Sequence, residues 1–230
     1  VQKQEPVMGD LFGTEPSADQ ESENETVLEN LKTVPHEYHL VEREEDIQKL
    51  CDKLLTTEEF CLDTETTGLD VMTARLVGLS FACREFEAYY VPIPSEREEA
   101  LKILQILKPA YEDPKILKIG QNIKYDVNML AAYGIRLSGP MFDTMLAHYV
   151  LQPELRHNMD YLAEIYLHYQ TIHIEELIGP KGRKQKNMAD LAPAQVYEYA
   201  CEDADVTRRL KRVLADEVEK AGAHSLLYDI

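Results

Sequence analysis

The segment EFCLDTETTGLD, residues 59–70, runs from an apolar strand into an acidic turn. Asp63 and Glu65 are two positions apart, so in a strand both side chains project to the same side. An ordinary polar strand end has this composition. Half of a metal site has it too, because Mg²⁺ and Mn²⁺ prefer carboxylate oxygens as ligands. The segment alone leaves both interpretations open.

Two further strand-like segments follow after short polar connections, RLVGLSFAC at residues 75–83 and FEAYYVPI at residues 86–93. Together with residues 59–65 they predict an antiparallel meander. The segment KILKIG, residues 115–120, predicts a short buried strand, and most of the later sequence has helical periodicity. Strands first and mainly helices afterwards predict an α/β domain built on a mixed sheet.

Capping signals mark two of the predicted helix starts. Ser95 is followed by Glu98 three residues later, which predicts a capping box. Asp143, which opens FDTMLAHYVL, is interpreted as a helix N-cap rather than as a metal ligand.

Two predicted helices carry polar pairs at a spacing of four residues. Asn122 and Asp126 would share one face of the helix after KILKIG, and Tyr199 and Asp203 would share one face of a long helix from Pro193 to about residue 222. Each pair alone is more typical of a solvated helix surface. The three spacings together favour convergence into one acidic site.

Such a site would suit phosphodiester hydrolysis. Two divalent ions about 3.5 to 4 Å apart stabilise both the attacking and the leaving oxygen of that reaction. A tyrosine hydroxyl, with an ordinary pKa of about 10, can orient the attacking water without ionising.

Composition limits the other possibilities. The chain has 230 residues, 44% of them hydrophobic, which predicts one substantial domain. Its formal charge is −18, with 16 acidic and 5 basic residues in positions 1–60 and 26 acidic and 19 basic in positions 61–230. This balance argues against a long-lived grip on nucleic acid through surface charge. The four cysteines lack CxxC spacing, which predicts buried thiols of a cytosolic protein, and no apolar run is long enough for a membrane span.

Composition separates a tail from a domain. Residues 1–35 are polar and acidic, which predicts a mostly disordered linker, and the predicted domain spans residues 36–222. Within the domain, residues 179–187, GPKGRKQKN, form a predicted loop with four basic and no acidic residues. This loop either guides single-stranded DNA or is simply solvated.

Three motifs carry a family resemblance: DTE at 63–65, NIKYD at 122–126 and YACED at 199–203. In this order they resemble the exonuclease motifs of the DEDD superfamily in its tyrosine branch. The longer segments GQNIKYD, FDTMLAHYVL, RHNMDYLAE and YACEDADVT look like the 3′→5′ proofreading domains of bacterial DNA polymerase I. The similarity extends from about Tyr38 to Gly222. It implies a ribonuclease H-like exonuclease fold, with a mixed central β-sheet flanked by helices.

The resemblance also implies roles for ten residues. Five would be catalytic, the first four as ligands of two divalent ions, Mg²⁺ or Mn²⁺: Asp63, Glu65, Asp126, Asp203 and Tyr199. By the same resemblance, Asp63 would serve both ions, and Tyr199 would orient the attacking hydroxide, with a nucleoside monophosphate as product. Five more would contact the last nucleotides: Leu69, Gln121, Asn122, Tyr125 and Arg156.

Several of these substrate contacts have simpler alternatives. Leu69 could instead be a turn residue packed on the core, Tyr125 a core aromatic and Arg156 a surface cation. Ile174 lies where the family often has an aromatic residue, so stacking is not expected there.

The resemblance implies partners as well. The substrate would be a single-stranded or frayed DNA 3′ end, and polymerase and 5′-nuclease domains would belong to the same longer chain, with residues 1–35 and 223–230 as the connections. A monomer in the bacterial cytoplasm, without membrane contact, is expected. Two alternatives are a catalytically silent scaffold module and a ribonuclease D-like enzyme that trims RNA 3′ ends. The complete carboxylate set and the YACEDADVT and LLYDI segments favour the active DNA exonuclease.

Overall fold

The computed structural model of the protein describes residues 27–228. Eight strands lie within this range: β1 (Glu29–Asn30), β2 (Glu37–Leu40), β3 (Glu59–Thr66), β4 (Leu76–Arg84), β5 (Glu87–Pro92), β6 (Leu117–Gly120), β7 (Met141–Asp143) and β8 (Tyr169–Gln170). The same range contains eight α-helices: α1 (Glu44–Leu55), α2 (Arg97–Glu112), α3 (Lys124–Ala132), α4 (Thr144–Leu151), α5 (Met159–Leu167), α6 (Ile174–Ile178), α7 (Pro193–Lys220) and α8 (His224–Tyr228). A short 3₁₀ helix spans Met188–Asp190.

Six strands form the central sheet, in the order β2-β5-β4-β3-β6-β7. Strands β3, β4 and β5 pair antiparallel, as the sequence predicted, while β6 joins β3 in parallel and β2 and β7 extend the edges in parallel. The sheet is therefore mixed, and β3 lies in its interior. The β3–β4 register shifts between Glu65 and Thr66, which marks a bulge at the end of β3.

Alternation along β3 sends its side chains to two separate parts of the core. Phe60 and Leu62 pack with helices α1 and α2 on one face, whereas Cys61 packs with Ala200 and Ala204 of α7 on the other. Because Asp63 and Glu65 follow Cys61 at intervals of two, they continue the face that meets α7. The fold therefore aims both carboxylates at the long helix.

Some local predictions were wrong. Helix α2 begins at Arg97 after an N-cap at Glu96 that makes no side-chain cap bond, so Ser95 is not the cap. Helix α3 begins only at Lys124, and Asn122 precedes it with a left-handed backbone, φ 60°. Asn122 and Asp126 therefore do not share a helix face. The turn at Asn122 is stabilised by tertiary hydrogen bonds that local periodicity does not reveal.

The chain ends differ in how much of them is described. Residues 27–35, assigned to the acidic linker by composition, include strand β1, which pairs with β8, and Val34, which packs on the core. The rest of the predicted linker, residues 1–26, lies outside the described residues. In the predicted junction, α8 reaches α4, and residues 229–230 are not described.

Two further expectations concern thiols and membranes. All four cysteines are free thiols, three of them buried, and Cys83 is half-buried. Across residues 27–228, no helix combines the length and apolarity that crossing a membrane requires.

Candidate active site

Three carboxylates converge where the end of β3 meets α7. Oxygen atoms of Asp63, Glu65 and Asp203 all lie within 4.8 Å of one another. Asp63 is half-buried, and Glu65 and Asp203 are each only 7% exposed. Residues some 140 positions apart thus form one cluster, as the shared-face spacing predicted.

The cluster is electrostatically unfavourable without a cation. Burial raises the pKa of Asp63 to about 6. Burial also raises the pKa of Glu65 and Asp203 well above the ordinary range, and the charge of Asp63 adds to both effects. Like charges so close together disfavour ionisation, whereas a divalent cation between them would favour it.

Two oxygens of this cluster have no protein partner. Glu65 Oε1 and Asp203 Oδ1 are buried and accept no hydrogen bond from any described residue. A buried polar atom without a partner is costly, so its presence needs a physical reason. Hard oxygen donors aimed at a common point, without His or Cys, fit a divalent ion such as Mg²⁺ or Mn²⁺.

Asp126 lies beside this cluster and is hydrogen-bonded to Thr64 of β3. It is 2% exposed, and its Oδ1 accepts a 2.6 Å hydrogen bond from the Thr64 hydroxyl. Burial and the charge of Asp63 raise its pKa well above the ordinary range. Thr64 and Asp63 are neighbours in β3, so their side chains project to opposite faces of the sheet. Asp126, which binds Thr64, therefore comes from the face opposite to α7.

Tyr199 precedes Asp203 by one helical turn on α7 and lines the same cavity. Burial raises its pKa above the ordinary value, and the charges of Asp203 and Glu65 raise it further. In the metal-free protein the hydroxyl therefore keeps its proton at neutral pH. It can donate or accept a hydrogen bond but cannot serve as an anionic base.

A cavity of about 540 Å³ opens over the carboxylates. Its walls combine the β3–β4 turn with Tyr125, Ile174 and the loop at residues 179–187. Leu69 stands at the rim with 92% of its surface exposed, which excludes the alternative that it packs on the core. The Tyr125 hydroxyl donates to the Gly68 carbonyl at 2.6 Å and so fixes the turn that carries Leu69.

The other three predicted substrate residues lie outside this cavity lining. The Gln121 amide donates to the His157 carbonyl at 2.7 Å, and its oxygen accepts from the Thr144 hydroxyl, so both of its ends are engaged. Asn122 stands in the turn before α3, and Arg156 is exposed on the loop before α5.

Asp143 is a cap, as predicted, and it caps two elements at once. Its carboxylate accepts from Met145 and Leu146 at the start of α4 and from the backbone N–H groups of Asn122 and Ile123. It therefore holds the left-handed turn before α3.

Sequence reasoning did not separate the acids of YACEDADV by role. Glu202 is buried and accepts from the Tyr169 hydroxyl and the Ile172 N–H, while Asp205 accepts from Tyr38 and Phe86. Both are structural carboxylates that tie α7 to its surroundings. Their spacing from Asp203 carries no signal of this, because the hydroxyl and N–H groups from which they accept lie more than 25 residues away in the sequence.

Fold and site together define the class, a ribonuclease H-like α/β fold with a carboxylate cluster that suits divalent metal ions. At the level of fold, the catalytic core of RRP6 from Trypanosoma brucei superposes with a TM-score of 0.67 at 17% identity, over 88% of this chain and 52% of that one. Escherichia coli RNase D gives a TM-score of 0.63 at 19% identity, over 80% and 46%.

Sequence comparison then gives the family. A family model described as 3′-5′ exonuclease matches residues 38–219, and the chain belongs to this family. DNA polymerase I of Pseudomonas aeruginosa is 46% identical over 176 residues, which make up 73% of this chain and 19% of that protein. The predicted resemblance is confirmed, and the chain spans about a fifth of the length of this relative.

Proposed function

We propose that this chain removes nucleoside monophosphates from DNA 3′ ends, as the proofreading domain of a DNA polymerase I. The observation that carries the proposal is the cluster of Asp63, Glu65 and Asp203, with two orphaned buried oxygens, at the floor of an open cavity. A silent scaffold would have no reason to maintain so costly a cluster.

Four carboxylates would hold the divalent ions. Asp63, Glu65 and Asp203 form one oxygen-rich set, and Asp126 adds a fourth carboxylate beside Asp63. When bound, Mg²⁺ or Mn²⁺ would supply charge stabilisation for the attacking and leaving oxygens of the phosphodiester. Two ions are proposed because Asp203 of α7 and Asp126 of α3 reach the carboxylates of β3 from opposite faces of the sheet.

Tyr199 orients the attacking water. Its hydroxyl remains protonated, so it acts by directing a hydrogen bond and leaves proton abstraction to another group. Its position one turn before Asp203, in the lining of the same cavity, supports this role.

The rim of the cavity is proposed to bind the 3′ end of the DNA strand. Leu69 is proposed to press against the terminal base, and Tyr125 holds the turn beneath it. Gln121 supports the site through its bonds to His157 and Thr144. Asn122 and Arg156 would reach nucleotides that extend beyond the cavity.

The proposed setting follows from the relatives. The P. aeruginosa polymerase is much longer than this chain, which fits a proofreading domain that works beside polymerase and 5′-nuclease domains. We propose a monomeric unit in the bacterial cytoplasm, acting on single-stranded or frayed 3′ ends.

A degradation assay tests the proposal. The chain is incubated with 5′-labelled single-stranded DNA or RNA of the same sequence, in Mg²⁺, in Mn²⁺ or in chelator. Asp63→Ala and Asp203→Ala are compared with Asp216→Ala, which removes an exposed carboxylate from the same helix α7. A ladder of shortened DNA is expected for wild type and Asp216→Ala, with none in chelator or in the two site variants.

Two results would contradict the proposal. No ladder under any condition would identify a silent scaffold. RNA trimming equal to or faster than DNA trimming would favour a ribonuclease D-like activity instead.

A further inference from the structure

The basic loop at residues 179–187 has no part in the function proposed above. Two of its four basic residues, Lys181 and Lys186, line the cavity that holds Asp63, Glu65 and Asp203. The other two, Arg183 and Lys184, lie outside that lining and are exposed. All four basic residues are exposed, so the loop places two of its charges at the mouth of the cavity and two away from it.

Hydrogen bonds hold this loop in place across the cavity. Its ends are joined by the Lys186 N–H, which donates to the Ile178 carbonyl at 2.8 Å, and the Gln185 amide donates to the Gly179 carbonyl at 3.1 Å. The next residue, Asn187, donates from Nδ2 to the Thr67 carbonyl at 2.6 Å. This last bond joins the loop to the turn that presents Leu69.

Asn187 is well anchored on its own side. Its Oδ1 accepts from the Ala189 N–H at 3.0 Å, which caps the short helix at Met188–Asp190, and the Met188 side chain is buried. The loop and the Leu69 turn therefore form two rims of one cavity, connected by a single side-chain amide.

The charge of the loop at residues 179–187 indicates which chemical group it would bind. Among the described residues that line the cavity, Lys181 and Lys186 are the only cations, opposite an acidic floor. A DNA strand carries one phosphate per nucleotide, and divalent ions at the carboxylates can serve only the phosphate being cleaved. A neighbouring phosphate needs another cation. The half-buried Glu175 lies 3.8 Å from the Lys181 ammonium, but the Lys181 side chain stays 87% exposed and so remains open to a phosphate.

We infer that Lys181 and Lys186 bind a phosphate next to the one being cleaved, and that Asn187 positions them by fastening the loop to Thr67. This inference rests on the proposed function and adds a phosphate contact to it. Lys181 and Lys186 are substrate-binding groups, and Asn187 is a positioning residue.

Equilibrium binding tests the two lysines. A fluorescent single-stranded oligonucleotide with phosphorothioate linkages at its 3′ end, which slow hydrolysis, is titrated with protein in Mg²⁺ at several salt concentrations. One phosphate contact to a single strand contributes about 0.7 to the slope of log K against log salt, equivalent to about fivefold in affinity at 0.1 M salt. Because both lysines contact one phosphate, the double variant should lose about this much, and Lys181→Ala and Lys186→Ala should each lose part of it.

Lys184→Ala is the matched control, because it removes the same charge from the same loop outside the cavity. Its affinity and salt slope should equal those of wild type. If the double variant binds as tightly as this control, the inference is wrong.

A third variant, Asn187→Ser, tests the positioning role. Serine retains a side-chain oxygen for the helix cap but is too short to reach the Thr67 carbonyl. Trypsin should cleave the freed loop faster at its lysines and arginine, and DNA affinity should fall toward that of the double variant. Unchanged cleavage and affinity would contradict the role of Asn187.

The outcomes separate this inference from the proposed function. If wild type binds the oligonucleotide but never hydrolyses unmodified DNA, the proposed function fails while the salt slopes still measure the lysine contacts. If wild type shows no binding at all, both fail.

Discussion

Replacing Asp203 with asparagine should stabilise the metal-free protein while removing its activity. Oxygens of Asp203 lie within 4.8 Å of those of both Asp63 and Glu65. At an effective dielectric constant of about 20, two ionised carboxylates at this distance repel by about 3.5 kcal/mol. Protonation relieves part of this repulsion, because the pKa values of all three groups are raised. We therefore expect a net gain of about 1 to 3 kcal/mol in the free energy of unfolding.

The sign of the pH dependence follows from the same shifts. Asp63 ionises near pH 4 in the unfolded chain and near pH 6 in the fold, so the folded state binds more protons between these values. The stability contributed by this group therefore falls as pH rises from about 4 to 6 and stays low above that. The advantage of Asp203→Asn over wild type should accordingly be larger at pH 8 than at pH 5.

Urea unfolding in chelator measures this effect, with Asp216→Asn as the control for removing a carboxylate from α7. Added Mg²⁺ should then stabilise wild type, by about 2.7 kcal/mol at a hundred times its dissociation constant, and should stabilise Asp203→Asn much less. The reasoning is refuted if Asp203→Asn is less stable than wild type in chelator by more than about 1 kcal/mol, or if Asp216→Asn gains as much.

Three further predictions concern single side chains. Tyr199→Phe should slow hydrolysis about tenfold, the worth of one hydrogen bond, with unchanged Mn²⁺ binding by calorimetry; weakened binding would mean that the hydroxyl supports the metal ligands instead. Leu69→Ala should raise the KM for DNA and change the free energy of unfolding by less than about 0.5 kcal/mol, because the side chain is 92% exposed; a clear loss of stability in urea would contradict this. Asp143→Ala removes the acceptor of four backbone N–H groups and should cost about 3 kcal/mol in urea unfolding; a loss below about 1 kcal/mol would show that water replaces the carboxylate.

Local spacing determined which residues could act together. The interval of two between Asp63 and Glu65 and the interval of four between Tyr199 and Asp203 hold in any regular strand or helix, so the sequence sufficed to predict them. The antiparallel meander, the helix start at Pro193 and the Asp143 cap were predicted for the same reason. Each depends on residues only a few positions apart.

Prediction failed where a distant partner decides the local conformation. The spacing of Asn122 and Asp126 suggested one helix face, yet Asn122 adopts a left-handed turn because Asp143, about 20 residues later, binds its N–H group. The Gln121 amide is occupied by Thr144 and the His157 carbonyl, which no local pattern around Gln121 indicates.

Sequence alone therefore determined the family, and it predicted four site carboxylates and the elements that carry them. Only the tertiary structure brought Asp203 of α7 within 4.8 Å of Asp63 and Glu65, left two of their oxygens without partners, and laid the loop at 179–187 across the cavity. The physical reason is the sequence separation over which each interaction acts. Backbone periodicity orients side chains over a few residues, whereas the packing of α7 on the sheet and the bond from Asn187 to Thr67 join positions more than a hundred residues apart.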